Sequence, residues 1–227
     1  MNLKSLKNEW LQILILAVPF CAVALLWDKL PDWMPIHWNA RGEVDDYARK
    51  GFGAFLLPVT NVLITILMGL IPLIDPKLHK IDPDMRASLW RTVKFIRLLV
   101  SSFFLLVSLA VIGAALGLFG SGQQFSYTIY AGIGVLFIVF GNLMTKLRPN
   151  YFLGIRTPWT LESKEVWMKT HRMGGRLMVL GGFVMLALFL VVPLEQFVYW
   201  VLLPISGLLA LVPMLYSYLL FRKQRTA

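Results

Sequence analysis

The sequence predicts an all-α membrane protein: a bundle of six transmembrane helices, both termini cytoplasmic, with an ordered cytoplasmic segment between helices four and five. Three observations predict it. Hydrophobic residues make up 58% of the 227-residue chain and charged ones 15%, an apolar share that a water-facing domain of this length rarely carries. The apolar residues gather into six blocks free of Asp, Glu, Lys, Arg and His, each long enough to cross about 30 Å of hydrocarbon as a helix. The Lys and Arg residues divide 18 to 4 between alternate connections, and the richer side is cytoplasmic by the positive-inside rule. Because the blocks are apolar on every face, helices rather than barrel strands satisfy their backbone in lipid.

The first block, Trp10–Trp27, follows Lys4 and Lys7 and imitates a signal peptide, with Ala22-Val23-Ala24 in the place of a cleavage site. Leu25, Leu26 and Trp27 carry the apolar run past that site, so the block is expected to stay as a span. Cys21, preceded by Phe20 rather than a small residue, is no lipoprotein cysteine. It is also the single cysteine, which excludes internal disulfides and Cys-based metal centres. An outer loop, Asp28–Gly51, leads to the second block, Phe52–Ile74. Asp75-Pro76 and Asp82-Pro83 then mark turns before a basic amphipathic helix, in which Trp90, Arg91, Lys94 and Arg97 read as an interfacial run. The remaining blocks are Leu98–Phe119, Phe125–Thr145, Leu177–Val192 and Phe197–Phe221. This organisation divides the chain into an amino-terminal two-helix domain (residues 1–74) carrying the loop 28–51, and a four-helix domain (residues 75–227) carrying a cytoplasmic motif at 141–176.

Uncharged spans weigh against an ion pump, which needs groups that coordinate or exchange charge at membrane depth. Asn61, Asn142, the Ser101/Ser102 pair and the prolines Pro19, Pro58 and Pro193 are explained by helix packing. Gly174, Gly175, Gly181 and Gly182 recur seven residues apart, marking a face on which a neighbouring backbone comes close. The net charge of +10 is accounted for by topology, so no direct nucleic-acid binding is expected.

Two segments hold the candidate functional residues. In the outer loop these are Trp33, His37, Trp38, Asn39, Gly42, Glu43 and Asp45. His37 among acids is open to three readings: a metal ligand, a recognition residue for a ligand or peptide, or part of a loop closed by His–carboxylate or His–backbone bonds. One histidine is thin for a metal, and no metal or cofactor is predicted. In the cytoplasmic motif the candidates are Asn142, Arg148, Asn150, Gly154, Arg156, Thr157, Pro158, Trp159, Glu162, Trp167, Thr170, His171 and Arg172. A link punctuated by Pro and Gly leads to Thr160 as an N-cap, with Glu162 and Glu165 in the first turns. Trp167, Thr170, His171 and Gly174 then share one helix face at i, i+3, i+4 and i+7. With Tyr151, Phe152 and Trp159, the stretch Arg148–His171 reads as one ordered unit. His171 with Glu162, Glu165 and Arg172 offers acid–base groups, but neither a nucleophile motif nor metal spacing accompanies them, and no enzyme is predicted. Arg148, Arg156, Arg172 and Arg176 suit phosphate, in a lipid headgroup or in a partner.

The stretch Gly141–Gly182 resembles the signature of the SdpI family of bacterial toxin-immunity membrane proteins. The segment Leu30-Pro31-Asp32-Trp33-Met34-Pro35-Ile36-His37-Trp38-Asn39-Ala40-Arg41-Gly42-Glu43-Val44-Asp45 resembles the amino-terminal domain of unassigned function that often precedes it. Thr145 stands where proline is expected and Asp46 where glycine is. The resemblance implies a noncatalytic multi-pass protein of the bacterial cytoplasmic membrane that protects its host from a secreted toxic peptide. Its implied partners are membrane lipids, the toxin peptide and a cytoplasmic transcriptional repressor, held at the membrane when toxin is present. The competing reading is a membrane enzyme or transporter acting on lipid or envelope intermediates.

Overall fold

A computed structural model describes residues 9–74, 83–119, 122–150 and 153–226. Of the residues singled out above, Lys4, Lys7, Asp75, Pro76, Asp82, Tyr151 and Phe152 lie outside these. In chain order the elements are α1 (Trp10–Leu26), a 3-10 turn (Trp27–Lys29), β1 (Trp33–Trp38), β2 (Val44–Arg49), α2 (Lys50–Ile74), α3 (Pro83–Ala115) and α4 (Gly122–Met144). There follow α5 (Pro158–Glu162), α6 (Lys164–Leu188), α7 (Leu194–Phe197), a π-helical turn (Val198–Leu202) and α8 (Leu203–Thr226).

Among the described residues, five helical stretches are long and apolar enough to cross a membrane: Trp10–Lys29, Lys50–Leu70, Leu89–Ala115, Gly122–Met144 and Leu194–Arg225. The sixth expected span, Leu177–Val192, is not among them. It begins inside α6, whose first half carries Arg172 and Arg176, and the helix stops at Leu188. The uncharged stretch of that helix, 177–188, is therefore about 18 Å long at 1.5 Å per residue. Residues 189–192 turn instead, ahead of Pro193, which has no N–H to continue a helix. The chain is mostly helical, in keeping with an all-α membrane protein, and the connection between α1 and α2 adds one antiparallel ladder of β1 and β2. At its other end α3 stops in a Schellman turn: Leu118 N–H donates to the Gly113 carbonyl at 2.9 Å, and Gly117 takes the left-handed φ of 71° that glycine adopts without a Cβ clash.

The chain forms two compact units, Met1–Gly69 with Lys94–Ile129, and Leu70–Val93 with Tyr130–Ala227. In the first, Val23, Met34, Ala54, Ala110, Val111, Ile112 and Phe125 form the buried core. A Cβ on Gly53 would meet the Met34 Cβ at 2.5 Å, so the strand lies directly on the start of α2. The same unit holds a polar seam. Gln12 Nε2 donates to Ser101 Oγ at 2.7 Å, the Thr65 and Ser101 hydroxyls are 3.0 Å apart, and Asn61 Nδ2 donates to the Ser101 carbonyl at 3.2 Å. Glu9 pairs with Lys94 at 3.0 Å and with Arg97. Lys94 and Arg97 of the expected interfacial run thus both reach Glu9. They share one face of α3 with Ser101 at i, i+3 and i+7, and that face turns toward α1.

In the second unit, glycines let helix backbones touch. A Cβ on Gly175 would lie 2.5 Å from the Gly141 carbonyl oxygen, and one on Gly182 would lie 2.6 Å from that of Gly134. α4 and α6 therefore approach at two levels one heptad apart, as small residues permit. On the adjoining side Gly174 faces Pro213 and Gly181 faces Ile205. That order makes α6 and α8 antiparallel neighbours, and Met185, Phe197 and Val201 fill the core at their apolar end.

Candidate functional site

The hairpin of β1 and β2 is built by its own sequence. Asn39 N–H donates to the Glu43 carbonyl and Gly42 N–H to the Asn39 carbonyl, both at 2.9 Å. The Asn39 side-chain oxygen accepts from the N–H groups of Arg41 at 2.9 Å and Glu43 at 3.0 Å, the usual way an Asx residue nucleates a turn. Gly42 supplies the positive φ of 78° that closes it. The Glu43 carboxylate accepts from Asn39 Nδ2 at 2.9 Å and Arg41 Nε at 3.0 Å, and these bonds hold its pKa below the ordinary carboxylate value. His37 Nδ1 lies 2.5 Å from Asp45 Oδ1, across the strands. Asn39, Gly42, Glu43 and Asp45 thus build and close the hairpin. Among the described residues no cluster of three or more His, Cys, Asp or Glu side chains has a metal-binding arrangement.

The hairpin encloses an aromatic hollow. Trp38 stacks on Phe125 with ring centroids 3.8 Å apart. Beside this stack lies a cavity of about 350 Å³ lined by Trp33, Pro35, Trp38, Tyr47, Phe119 and Phe125, among others. The Trp33 side chain is 57% exposed and that of Tyr47 52%, so both present amphipathic rings at the mouth.

The motif at residues 141–176 folds as a buried lock. Thr157, not Thr160, is the N-cap of α5. Its hydroxyl accepts from Thr160 N–H at 3.2 Å, while Thr160 Oγ1 accepts from Thr157 N–H at 3.0 Å, a reciprocal capping box with Pro158 in the first turn. Ser163 caps α6, with Glu165 in its first turn. The expectation of a Thr160 cap is corrected for a geometric reason: Thr160 Oγ1 donates back to the Ile155 carbonyl at 2.8 Å, which a cap at the next helix start would not do. Thr157 Oγ1 also lies 3.0 Å from Ser217 Oγ of α8, tying the loop to that helix. Asn150 Oδ1 accepts from Leu153 N–H at 2.6 Å and shapes the preceding turn.

Trp167 and His171 close the lock. Both are fully buried and stack at 4.0 Å. Trp167 Nε1 donates to the Leu147 carbonyl at 3.0 Å. His171 Nδ1 lies 2.8 Å from the Trp167 carbonyl, and its Nε2 accepts from Ile155 N–H at 2.9 Å. A carbonyl only accepts and a backbone N–H only donates, so these partners select one neutral tautomer with the proton on Nδ1. Burial pushes the pKa of His171 down to about 4, against the opposing hydrogen bond to Trp167. Gly154 sits against the ring with φ of 99°, and a Cβ there would run into His171 Nε2.

The predicted motif residues therefore separate. Asn150, Thr157, Trp167, Thr170 and His171 converge in the buried lock, with the exposed Gly154 against the His171 ring and Trp159 beside Tyr218 at 5.1 Å. Asn142, Arg148, Arg156, Pro158, Glu162 and Arg172 are exposed around it, and Glu162 reaches Arg225 of α8 at 3.3 Å. With both ring nitrogens engaged, His171 has no lone pair for acid–base work. Ser217, Gln12 and Thr65 were not legible as site residues, since single hydroxyls and amides in apolar runs carry no spacing signal.

These features define a multi-pass helical membrane protein whose first unit bears an aromatic hairpin and whose second is locked by a buried Thr–Trp–His cluster. Residues 146–217 match the SdpI/YfhL protein family, and residues 14–62 match a domain of unknown function, DUF1648. Over 183 residues the chain is 22% identical to the immunity protein SdpI of Bacillus subtilis (strain 168), an alignment covering 81% of this chain and 82% of that protein. The resemblance to the SdpI family thus holds in residues 146–217, and that to the amino-terminal domain of unassigned function in residues 14–62. No solved structure matches the chain.

Proposed function

We propose that this protein is a noncatalytic immunity protein of the bacterial cytoplasmic membrane, protecting the cell from a secreted toxic peptide that the outer hairpin engages. The observation that carries the reading is the aromatic cavity at the hairpin, joined to the likeness with an immunity protein. Exposed Trp and Tyr rings around an aromatic-lined hollow give an amphipathic peptide contact area at low entropic cost. The buried, doubly bonded His171 favours this over the competing enzyme reading.

The arrangement proposed is six spans with both termini cytoplasmic, the amino-terminal domain of residues 1–74 followed by the SdpI-like domain of residues 75–227. α6 counts as the short span, because it lies along α8 at Gly181 and Ile205 and so shares the depth of a membrane-length helix. A cytoplasmic repressor, if the cell carries one, would meet the exposed Arg148 and Arg156 around the lock.

Trp38 is a poor probe of recognition, since its ring is stacked into the core. Trp33→Ala with Tyr47→Ala is the sharper test. In a toxin-sensitive bacterium, expression of the wild type is expected to raise tolerance to the peptide, and the double variant is expected to lose most of that gain at equal membrane abundance. Full tolerance from the double variant removes the hairpin from recognition.

A further inference from the structure

We propose that the groove between α6 and α8 holds one anionic phospholipid of the leaflet facing the basic end of these helices. The groove, about 420 Å³ in volume, is lined by Lys169, Arg172, Arg176, Leu177 and Leu180 of α6 and by Tyr216 of α8, among others. Lys169, Arg172 and Arg176 stand at i, i+3 and i+7, so their charges stack along one helix face, and Leu180 continues that face one turn further. Lys169 is already paired with Glu165 at 2.5 Å. Arg172 and Arg176 are exposed and have no hydrogen-bond or ion-pair partner among the described residues. Two guanidinium groups without a counter-charge suit a phosphate, which they bind through paired N–H donors.

The direction of the groove selects a lipid over a soluble anion. At one end Glu165 of α6 accepts from Gln224 of α8 at 2.7 Å, and Glu162 of the preceding α5 accepts from Arg225 at 3.3 Å, which marks the polar end of the groove. Toward the other end Gly181 packs on Ile205, within the membrane-length stretch Leu194–Arg225. From Lys169 to Leu180 the helix rises about 16 Å, enough to pass from headgroup level into hydrocarbon. Leu180 is 60% exposed and Phe183 beyond it 57%, an outward apolar wall that a free phosphate would leave unused. The inference rests on α8 crossing the membrane and is independent of the toxin reading.

The test uses the full chain purified in mild detergent and titrated with fluorescent phosphatidylglycerol or phosphatidylcholine, with inorganic phosphate as a competitor. The wild type is expected to prefer phosphatidylglycerol, R172Q/R176Q to weaken that binding roughly tenfold, and the control pair R222Q/K223Q to leave it near wild type. Millimolar phosphate is expected not to displace the lipid. Equal binding of the two lipids by the wild type, an equal loss in the control pair, or displacement by phosphate would each overturn the assignment.

Discussion

His171 shows how one side chain turns burial into pH dependence. Its pKa falls to about 4 in the folded protein, from an ordinary 6.5 in the unfolded chain. Between those values the unfolded state binds more protons than the folded one, so stability is complete above pH 6.5 and falls as pH drops toward 4. From pH 6.5 to 5 the loss is expected to be about 2 kcal/mol. This window lies above the titration of Glu43 and Glu165, whose carboxyls are held below their ordinary range by Asn39 and Lys169 respectively. Thermal unfolding in detergent across this window checks it, with a His171→Asn variant expected to flatten the profile. An unchanged slope in that variant would assign the pH response elsewhere. The geometry also means that His171→Ala does not separate an enzyme from a binding protein. Removing the ring strands the Ile155 N–H and opens a cavity, so activity of any kind would be lost through the fold.

Among the elements, the seam joining α1, α2 and α3 sets two kinds of polar contact side by side. Gln12 is buried with one unpartnered atom, Oε1, while Thr65 and Ser101 already reach each other. Gln12→Leu is therefore expected to change stability by less than about 1 kcal/mol, since it removes an unmet acceptor along with the bonds. Glu9→Ala is different. It leaves Arg97, whose side chain is 16% exposed, without its carboxylate, and a loss of about 2 kcal/mol is expected. Unfolding of the two variants in the same detergent compares them directly, and an equal cost would mean that the seam acts as one network. On α6 the seven-residue glycine spacing was legible in the sequence. That Gly175 and Gly182 face α4 while Gly174 and Gly181 face the other side was not, because a repeat names a face and leaves its partner open.

At the scale of the whole molecule, topology follows from the charge division between connections. With Cys21 replaced by Ala, a cysteine at Ala40 on the hairpin tip is expected to react with a membrane-impermeant thiol reagent in intact cells. Reaction after permeabilisation alone would invert the arrangement and move the proposed recognition surface to the cytoplasm.

What the sequence determined by itself was decided by composition and order. Uncharged blocks require helices in lipid, and the Trp, Gly, Thr and His pattern of residues 141–182 carried the family likeness. The tertiary structure decided which of those residues meet. A β-hairpin arose where the sequence showed a polar loop, because its signals lie in a bulged register and an Asx turn rather than in clean alternation. Thr157 displaced Thr160 as the cap because a hydroxyl three residues away was free to answer it. His171 and Gly154, 17 positions apart in the chain, became a contact too close for any side chain at Gly154. Periodicity places a residue on a face, but only packing supplies the atoms across from it.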